Sequence, residues 1–427
     1  MIIHSRYLQI VLTVCGLLIF MEHAAKAQPR GYLYDEQKVP EFDLPDPLVF
    51  LDGTRVVNAS GWEKRRQEIF EIFESQVYGR SPGKTGPVSV SDSSSTVILN
   101  GAAVLKQVRL KLTDGGPTVS VLIIRPAGEK KVPAFLGLNF MGNHTVFPHE
   151  SIEVTTGWVR NDSKLGAVGN RASEKGRGGK SDRWPVQKIV EAGYALVTTY
   201  YGEIDPDFDD GFRNGIHGAL PAGDSKRPAA DEWGSIAGWA YGLSRILDCL
   251  ETEDFLDAKK VTVLGHSRLG KTALWAGATD SRFAGVISNN SGCGGAALSK
   301  RTFGETVKRI NTSFPHWFCD NFVQYNDREN ELPVDQHLLI ALSAPRPVYV
   351  ASASKDLWAD PRGEYLATRY ASPVYKLLTG KGLGIREFPG NNQPSIGVLS
   401  YHCREGRHDL TPYDWENYIK FANQYSR

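Results

Sequence analysis

The sequence predicts an α/β fold, a three-layer αβα sandwich whose central sheet is mostly parallel. Three observations predict it. Short apolar runs at residues 119–124, 134–138, 195–199, 261–264, 284–288 and 347–352 are rich in Val, Ile and Leu and read as parallel strands buried on both faces. A helical segment at 233–251 lies between two of them, which makes the connections crossovers and the sheet doubly wound. Neither an internal repeat nor a shift in composition divides the chain, so residues 28–427 are expected to form one domain.

Taken in order, the chain opens with Arg6, an apolar run over 7–21 and then Ala25-Lys26-Ala27. A basic start, a short apolar stretch and a small-x-small site make residues 1–27 a secretory signal peptide, placing the mature protein outside the cell or in a periplasm. The apolar run is shorter than the roughly 20 residues of a spanning helix. No later segment is long and apolar enough to span, so no membrane contact is expected after cleavage. Residues 28–60, rich in Pro and Asp, suit an extended arm over the surface. Trp62, Ile69, Phe70, Ile72 and Phe73 fall at helical spacing and predict a helix over 61–77. Alternation at 88–91 and 108–112 predicts antiparallel strands with one wet face. Residues 151–184 hold many Gly, Ser, Lys and Arg residues and read as an inserted loop, either a solvated excursion or a wall of the substrate cleft.

The formal net charge of +1 includes Arg6, Lys26 and Glu22, so the chain after residue 27 is formally neutral. That balance gives no reason to expect a nucleic acid partner. Removal of the leader also removes Cys15 and leaves Cys249, Cys293, Cys319 and Cys403, which permit two disulfides in any of three pairings. There is no CxxC pair and no His/Cys cluster with zinc spacing, so no metal and no cofactor is expected.

The segment Val261-Thr262-Val263-Leu264-Gly265-His266-Ser267-Arg268-Leu269-Gly270-Lys271 runs from a buried strand through a sharp turn into a helix. Ser267 sits at the apex, where small residues on either side let its hydroxyl stand clear of the sheet. This nucleophile-elbow context points to an α/β-hydrolase fold, although the second glycine comes one residue later than in G-x-S-x-G. The start of the following helix contributes partial positive charge and sets the Arg268 N–H where an oxyanion can use it. A serine needs a base, and the base needs an acid to orient it. In this fold the chain order is Ser, acid, His. Asp356 and Asp360 follow the strand at 347–352, with Asp356 nearer its end, and His402 and His408 are the later histidines. His408 lies in the turn before a final helix around 415–422, where the base belongs.

Gly-His-Ser-Arg-Leu-Gly-Lys at 265–271 resembles the Gly-Cys-Ser-Arg-x-Gly-Lys signature of the glucuronoyl esterases, family 15 of the carbohydrate esterases. The likeness extends through 233–251, Ser291-Gly292-Cys293-Gly294-Gly295, Ala344-Pro345-Arg346-Pro347, Lys355-Asp356-Leu357-Trp358 and Gly406-Arg407-His408, and covers residues 60–425. It implies hydrolysis of the ester joining 4-O-methyl-glucuronic acid on xylan to lignin alcohols, by a chain expected to act as a monomer. Residue by residue, it implies Ser267 as nucleophile, His408 as base and Arg268 as oxyanion stabiliser through side chain and backbone. Lys271 and Glu305 match positions that hold sugar hydroxyls, and Trp358 an aromatic residue beside the uronate. On their own these three would read as a helix lysine facing water, a surface carboxylate and a core aromatic. Trp317 and Phe318 are candidates for an aromatic wall facing a lignin-like alcohol.

Two departures matter. Many members carry glutamate where this chain has Asn290, and others place the acid on the later loop, which Asp356 fits, so the implied triad is Ser267–His408–Asp356. His266 replaces the common cysteine before the nucleophile and reads as a packed residue rather than a second base, while Cys293 and Cys403 are a candidate disulfide pair. Two alternatives stay open. One is an acetyl xylan or other carbohydrate esterase with the same triad, although Arg268 with Lys271 fits a uronoyl ester better than an acetyl group. The other is a non-catalytic uronate-binding protein retaining the fold, for which Asn290 is the main feature.

Overall fold

The computed structural model describes residues 28–83, 85–128, 130–220 and 229–425, so the expected leader at 1–27 lies outside the described residues. From Leu33 onward the chain forms one compact unit. Nine strands form a single sheet: β1 Ser89–Ile98, β2 Ala103–Lys111, β3 Thr118–Pro126, β4 Val132–Asn139, β5 Ala195–Tyr200, β6 Leu256–His266, β7 Gly285–Asn289, β8 Val348–Ala353 and β9 Leu399–Arg404. Their spatial order is β1-β2-β3-β5-β4-β6-β7-β8-β9. The six strands from β5 to β9 in this order run parallel, whereas β1, β2 and β3 form an antiparallel extension whose last member also pairs antiparallel with β5.

The run at 119–124, expected to be parallel, is therefore antiparallel on both sides. A short turn with Gly115 and Gly116 joins β2 to β3, and a connection that short allows only a hairpin. Burial is similar in either direction, so composition carries no sign of it. Strand β9 has no apolar run at all, yet all six of its residues are buried. Its polar side chains find internal partners: Ser400 Oγ donates to Gly397 O, and Arg404 and His402 both donate to Asp414.

Six longer helices flank the sheet: α1 Ala59–Phe73, α2 Ser235–Leu250, α3 Arg268–Thr279, α4 Pro361–Tyr370, α5 Ser372–Thr379 and α6 Pro412–Tyr425. Asn58 caps α1 by accepting the Gly61 N–H at 2.8 Å, and a π-helical turn, Glu74–Tyr78, carries the chain on. Helix α2 buries every residue except Asp248, as befits a helix enclosed on all sides. Successive strand residues feed opposite cores. Leu136 and Val263 pack with α1, α2 and α3, while Phe135 and Leu264 pack with Trp415, Tyr418 and Phe421 of α6. This alternation makes the three layers.

The arm from Leu33 to Asn58 is irregular and is tied down at several points. Glu36 pairs with Arg301 at 2.8 Å, and Pro45 O accepts from His337 Nε2 at 2.9 Å. All four described cysteines are free and buried, which corrects the allowance for disulfides, including the Cys293–Cys403 pair. A core of this size closes without cross-links. No helix of the described residues is long and apolar enough to cross a membrane.

Candidate active site

The carboxyl ends of four neighbouring parallel strands bring the site together, with Ser267 after β6, Asn290 after β7, Asp356 after β8 and His408 after β9. Ser267 holds φ 58° and ψ −129°, a strained backbone that lifts its side chain off the strand line. The turn closes because position 265 is glycine: a Cβ there would run into the Leu269 carbonyl oxygen. The Ser267 N–H donates to Asn289 O at 2.8 Å, locking the elbow to β7. Helix α3 starts at Arg268, so the first N–H groups of the helix lack intrahelical acceptors.

His408 Nδ1 donates to Asp356 Oδ2 at 2.6 Å. Asp356 is 5% exposed and His408 41%, so the acid is sheltered while the imidazole faces the cleft. The Asn290 Nδ2–H donates to the same Asp356 oxygen at 2.9 Å. Asn290 thus braces the acid rather than reaching the histidine. Of the other candidates, Asp360 pairs with Arg301 at 2.8 Å and caps α4, and His402 is fully buried between Tyr349 and Asp414. The Ser267 hydroxyl has no hydrogen-bond partner among the described residues.

The ring of His266 packs on that of His408, with centroids 4.5 Å apart. Its Nδ1–H donates to Asn289 Oδ1 at 2.6 Å, since the Asn289 amide nitrogen is committed to Tyr418. Burial, helped by the neighbouring His408 charge, pushes the His266 pKa well down. It is a neutral packing partner. Beneath the turn after β7, Glu364 accepts from the Ser291 and Gly292 N–H groups and from Ser352 Oγ, and burial pushes its carboxyl up to about 8.

Arg404 holds the loop that carries His408. Its Nη2 donates to Arg407 O and to Asp409 O, both at 2.7 Å, while its Nε donates to Asp414 at 3.0 Å. Asp414 also accepts from the Thr411 N–H at 2.7 Å and from the Thr411 hydroxyl at 2.8 Å, which ties the carboxylate to the start of α6. Burial would raise the Asp414 pKa, but His402, Arg404 and Thr411 outweigh it and hold the carboxyl below its usual range. A depressed folded pKa adds stability above the unfolded value, and that stability is lost as pH falls through the folded value. Asp414→Asn is accordingly expected to cost about 3 kcal/mol at neutral pH in a denaturant titration, because it leaves a buried arginine without its counter-charge. The gap to wild type should narrow below pH about 4 and close as the wild-type carboxyl protonates.

Lys271 does not face water. It is buried, with its ammonium donating to Ser291 O at 2.5 Å and Cys293 O at 2.7 Å and lying 3.8 Å from Glu305 Oε2. Burial lowers the Lys271 pKa and raises that of Glu305, each against the attraction of the other. Glu305 is held beside Trp358, whose carbonyl accepts the Glu305 N–H at 3.0 Å. Gly304 permits that approach, since a Cβ there would lie 2.6 Å from the Trp358 oxygen. The structure thus gathers Lys271, Glu305 and half-buried Trp358 into one cluster. Trp317 and Phe318 do not form an exposed wall: both are buried, Phe318 against Tyr78 and Phe322.

A model of the fungal glucuronyl esterase family matches residues 228–379. A carbohydrate esterase from an unknown prokaryotic organism is 49% identical over 420 residues, spanning 97% of this chain and 97% of its own. Among solved structures, a promiscuous esterase of carbohydrate esterase family 15 from a marine bacterial metagenome aligns with a TM-score of 0.87 and 50% identity, covering 92% of this chain and 100% of that one. The chain belongs to family 15 of the carbohydrate esterases. A glucuronoyl esterase from Solibacter usitatus aligns at 0.86 and 44%, covering 91% and 99%. The chain is therefore a carboxylic ester hydrolase on an α/β-hydrolase fold.

Sequence reasoning about this family 15 esterase missed Asp207, which meets Arg268 in the site. Asp207 lies just past β5 in a stretch with Glu203, Asp205, Asp209 and Asp210. A strand end with acids was a signal, but nothing in the string singles out one of five. The inserted loop contributes Trp158, Arg160, Asn161 and Asn170 to a hollow of about 410 Å³ that Asp207 and Phe314 complete.

Proposed function

We propose that this chain hydrolyses the ester between (4-O-methyl-)glucuronic acid of glucuronoxylan and lignin alcohols, by two-step acyl transfer through Ser267. The observation that supports it most is the His408–Asp356 hydrogen bond of 2.6 Å beside the Ser267 elbow. Ser267 Oγ attacks the carbonyl carbon as His408 Nε2 takes its proton, and the Asp356 charge stabilises the imidazolium. Arg268 meets the oxyanion, where one good donor contributes about 3 kcal/mol because charge grows only in the transition state. The tetrahedral species collapses, the C–O bond breaks, and the alcohol leaves with the proton from His408. Water then attacks the acyl-serine, gives a proton to His408 and releases the glucuronate, and the serine oxygen recovers its proton.

Glu305 and Lys271 hold the sugar hydroxyls, and Trp358 packs beside the ring. Two Lys271 protons are taken by backbone carbonyls, so Glu305 is the more available partner. Glu305→Gln is expected to raise KM for methyl glucuronate about tenfold with little change in kcat, because a hydroxyl contact acts equally in ground and transition states. Residues 1–27 act as a cleaved leader that directs export, and residues 28–427 as one catalytic domain with the 150–185 loop walling the cleft.

A second reading, a wider range of acyl groups, is favoured by the promiscuous relative at 50% identity. Purified protein assayed on benzyl glucuronate and on acetylated xylan separates the two. Higher kcat/KM on the uronate supports the proposal, and preference for acetylated xylan replaces it with the second reading. Uronate affinity with no turnover on either would return a binding protein.

A further inference from the structure

We propose that Asp207 is a positioning residue for the reaction, fixing the Arg268 guanidinium in place beside the nucleophile turn. The inference rests on the reading of Arg268 as the oxyanion-stabilising cation.

The Asp207 side chain is 5% exposed and has every acceptor site occupied. Oδ2 accepts from Arg268 Nη1 and from the Tyr201 hydroxyl, the latter at 2.8 Å. Oδ1 accepts from His316 Nε2 at 3.0 Å and from Trp317 Nε1 at 2.7 Å. These donors come from three separate stretches of chain, so the carboxylate cannot turn without breaking bonds to at least one. Burial works against its ionisation, but His316, the Arg268 charge, Trp317 and Tyr201 together hold Asp207 well below the usual carboxylate range.

Arg268 is placed with similar care. Its guanidinium carbon lies 4.7 Å from the Trp317 ring centre, with Phe314 at 5.6 Å and Phe140 at 5.7 Å. Trp317 both contacts the arginine and donates to the acid that holds it. Among the described residues the Arg268 Nε–H is buried without a hydrogen-bond partner, an unmet donor that costs free energy. An arginine has enough rotatable bonds to swing away from a reacting carbonyl, and the Asp207 pairing at Nη1 removes that freedom. An ion pair also dilutes the positive charge, and placement outweighs that dilution.

The test measures kcat and KM on benzyl glucuronate, the pH profile and thermal unfolding for the full chain carrying Asp207→Asn, Tyr201→Phe, Arg268→Ala and their combinations. Asp207→Asn is expected to lower kcat by about 10–100-fold with KM within about threefold, the size of loss that follows a small misplacement of a catalytic group. The pH dependence should stay unchanged, because His408 and Asp356 are untouched. Arg268→Ala is expected to lower kcat about 10²–10³-fold, and adding Asp207→Asn to it should lower kcat no further. If Asp207→Asn fails to fold, Tyr201→Phe carries the test through a loss of about threefold in kcat that vanishes in the Arg268→Ala background. Wild-type or higher kcat in Asp207→Asn, or losses that add in the double variant, overturn the positioning role while leaving the Arg268 reading intact. Wild-type kcat in Arg268→Ala overturns both.

Discussion

Ser267→Ala is expected to lower kcat on benzyl glucuronate by about 10⁴–10⁶-fold, the range seen when a hydrolase loses its nucleophile. Residue 267 alone occupies the strained apex between β6 and α3, and its neighbours are committed elsewhere: His266 to Asn289 and Lys271 to backbone carbonyls. Among the described residues 265–271 no other side chain carries a hydroxyl to take over. The remaining rate over water would come from Arg268 and from binding, which survive the change. Glucuronate affinity, measured by calorimetry on the same preparation, should remain near wild type and shows that the fold is intact. Activity within tenfold of wild type would remove Ser267 from the mechanism.

Asp356→Asn is expected to lower kcat by about 10³–10⁴-fold, with KM nearly unchanged, since the acid acts on the imidazolium that exists only as the reaction proceeds. An amide in that place still accepts one hydrogen bond but carries no charge. It also meets the Asn290 Nδ2–H, which in the wild type donates to the same oxygen as His408 does. Asn290→Ala provides the contrast. It removes a brace from Asp356 without touching the charge, so its loss should stay under about tenfold. A larger effect at Asn290 than at Asp356 would move the acid's role to the turn after β7.

Much of this site is local in sequence, which is why it was legible. The elbow needs only a buried strand, two small residues and a helix start in one continuous stretch, and the strand-end rule places an acid and a histidine downstream. The choice among candidates followed burial. Asp360 is spent on Arg301 and the α4 cap, and His402 on Asp414, while Asp356 and His408 meet. Other features had no local signature. Strand β9 is polar in sequence and buried in fact, because Tyr349, on the neighbouring strand, and Asp414, in the helix that follows, supply its partners. Taken without the family resemblance, Lys271 reads as a solvent-facing helix residue, but the turn after β7 folds over it and offers two carbonyls. The direction of β3 followed from a tight turn and not from its apolar pattern.

By itself the sequence determined the layered α/β architecture and the strand, turn and helix that set Ser267 beside Arg268, since each depends on spacing within a short stretch or on alternation along a strand. Only the tertiary structure decided which acid meets His408 and which meets Arg268. Asp356 and His408 are 52 residues apart and Asp207 and Arg268 are 61 apart, and they meet because β5, β6, β8 and β9 end on one edge of the sheet. A hydrogen bond tolerates an error of a few tenths of an ångström, and the register and twist that set that distance are properties of the assembled sheet, not of any one segment of it.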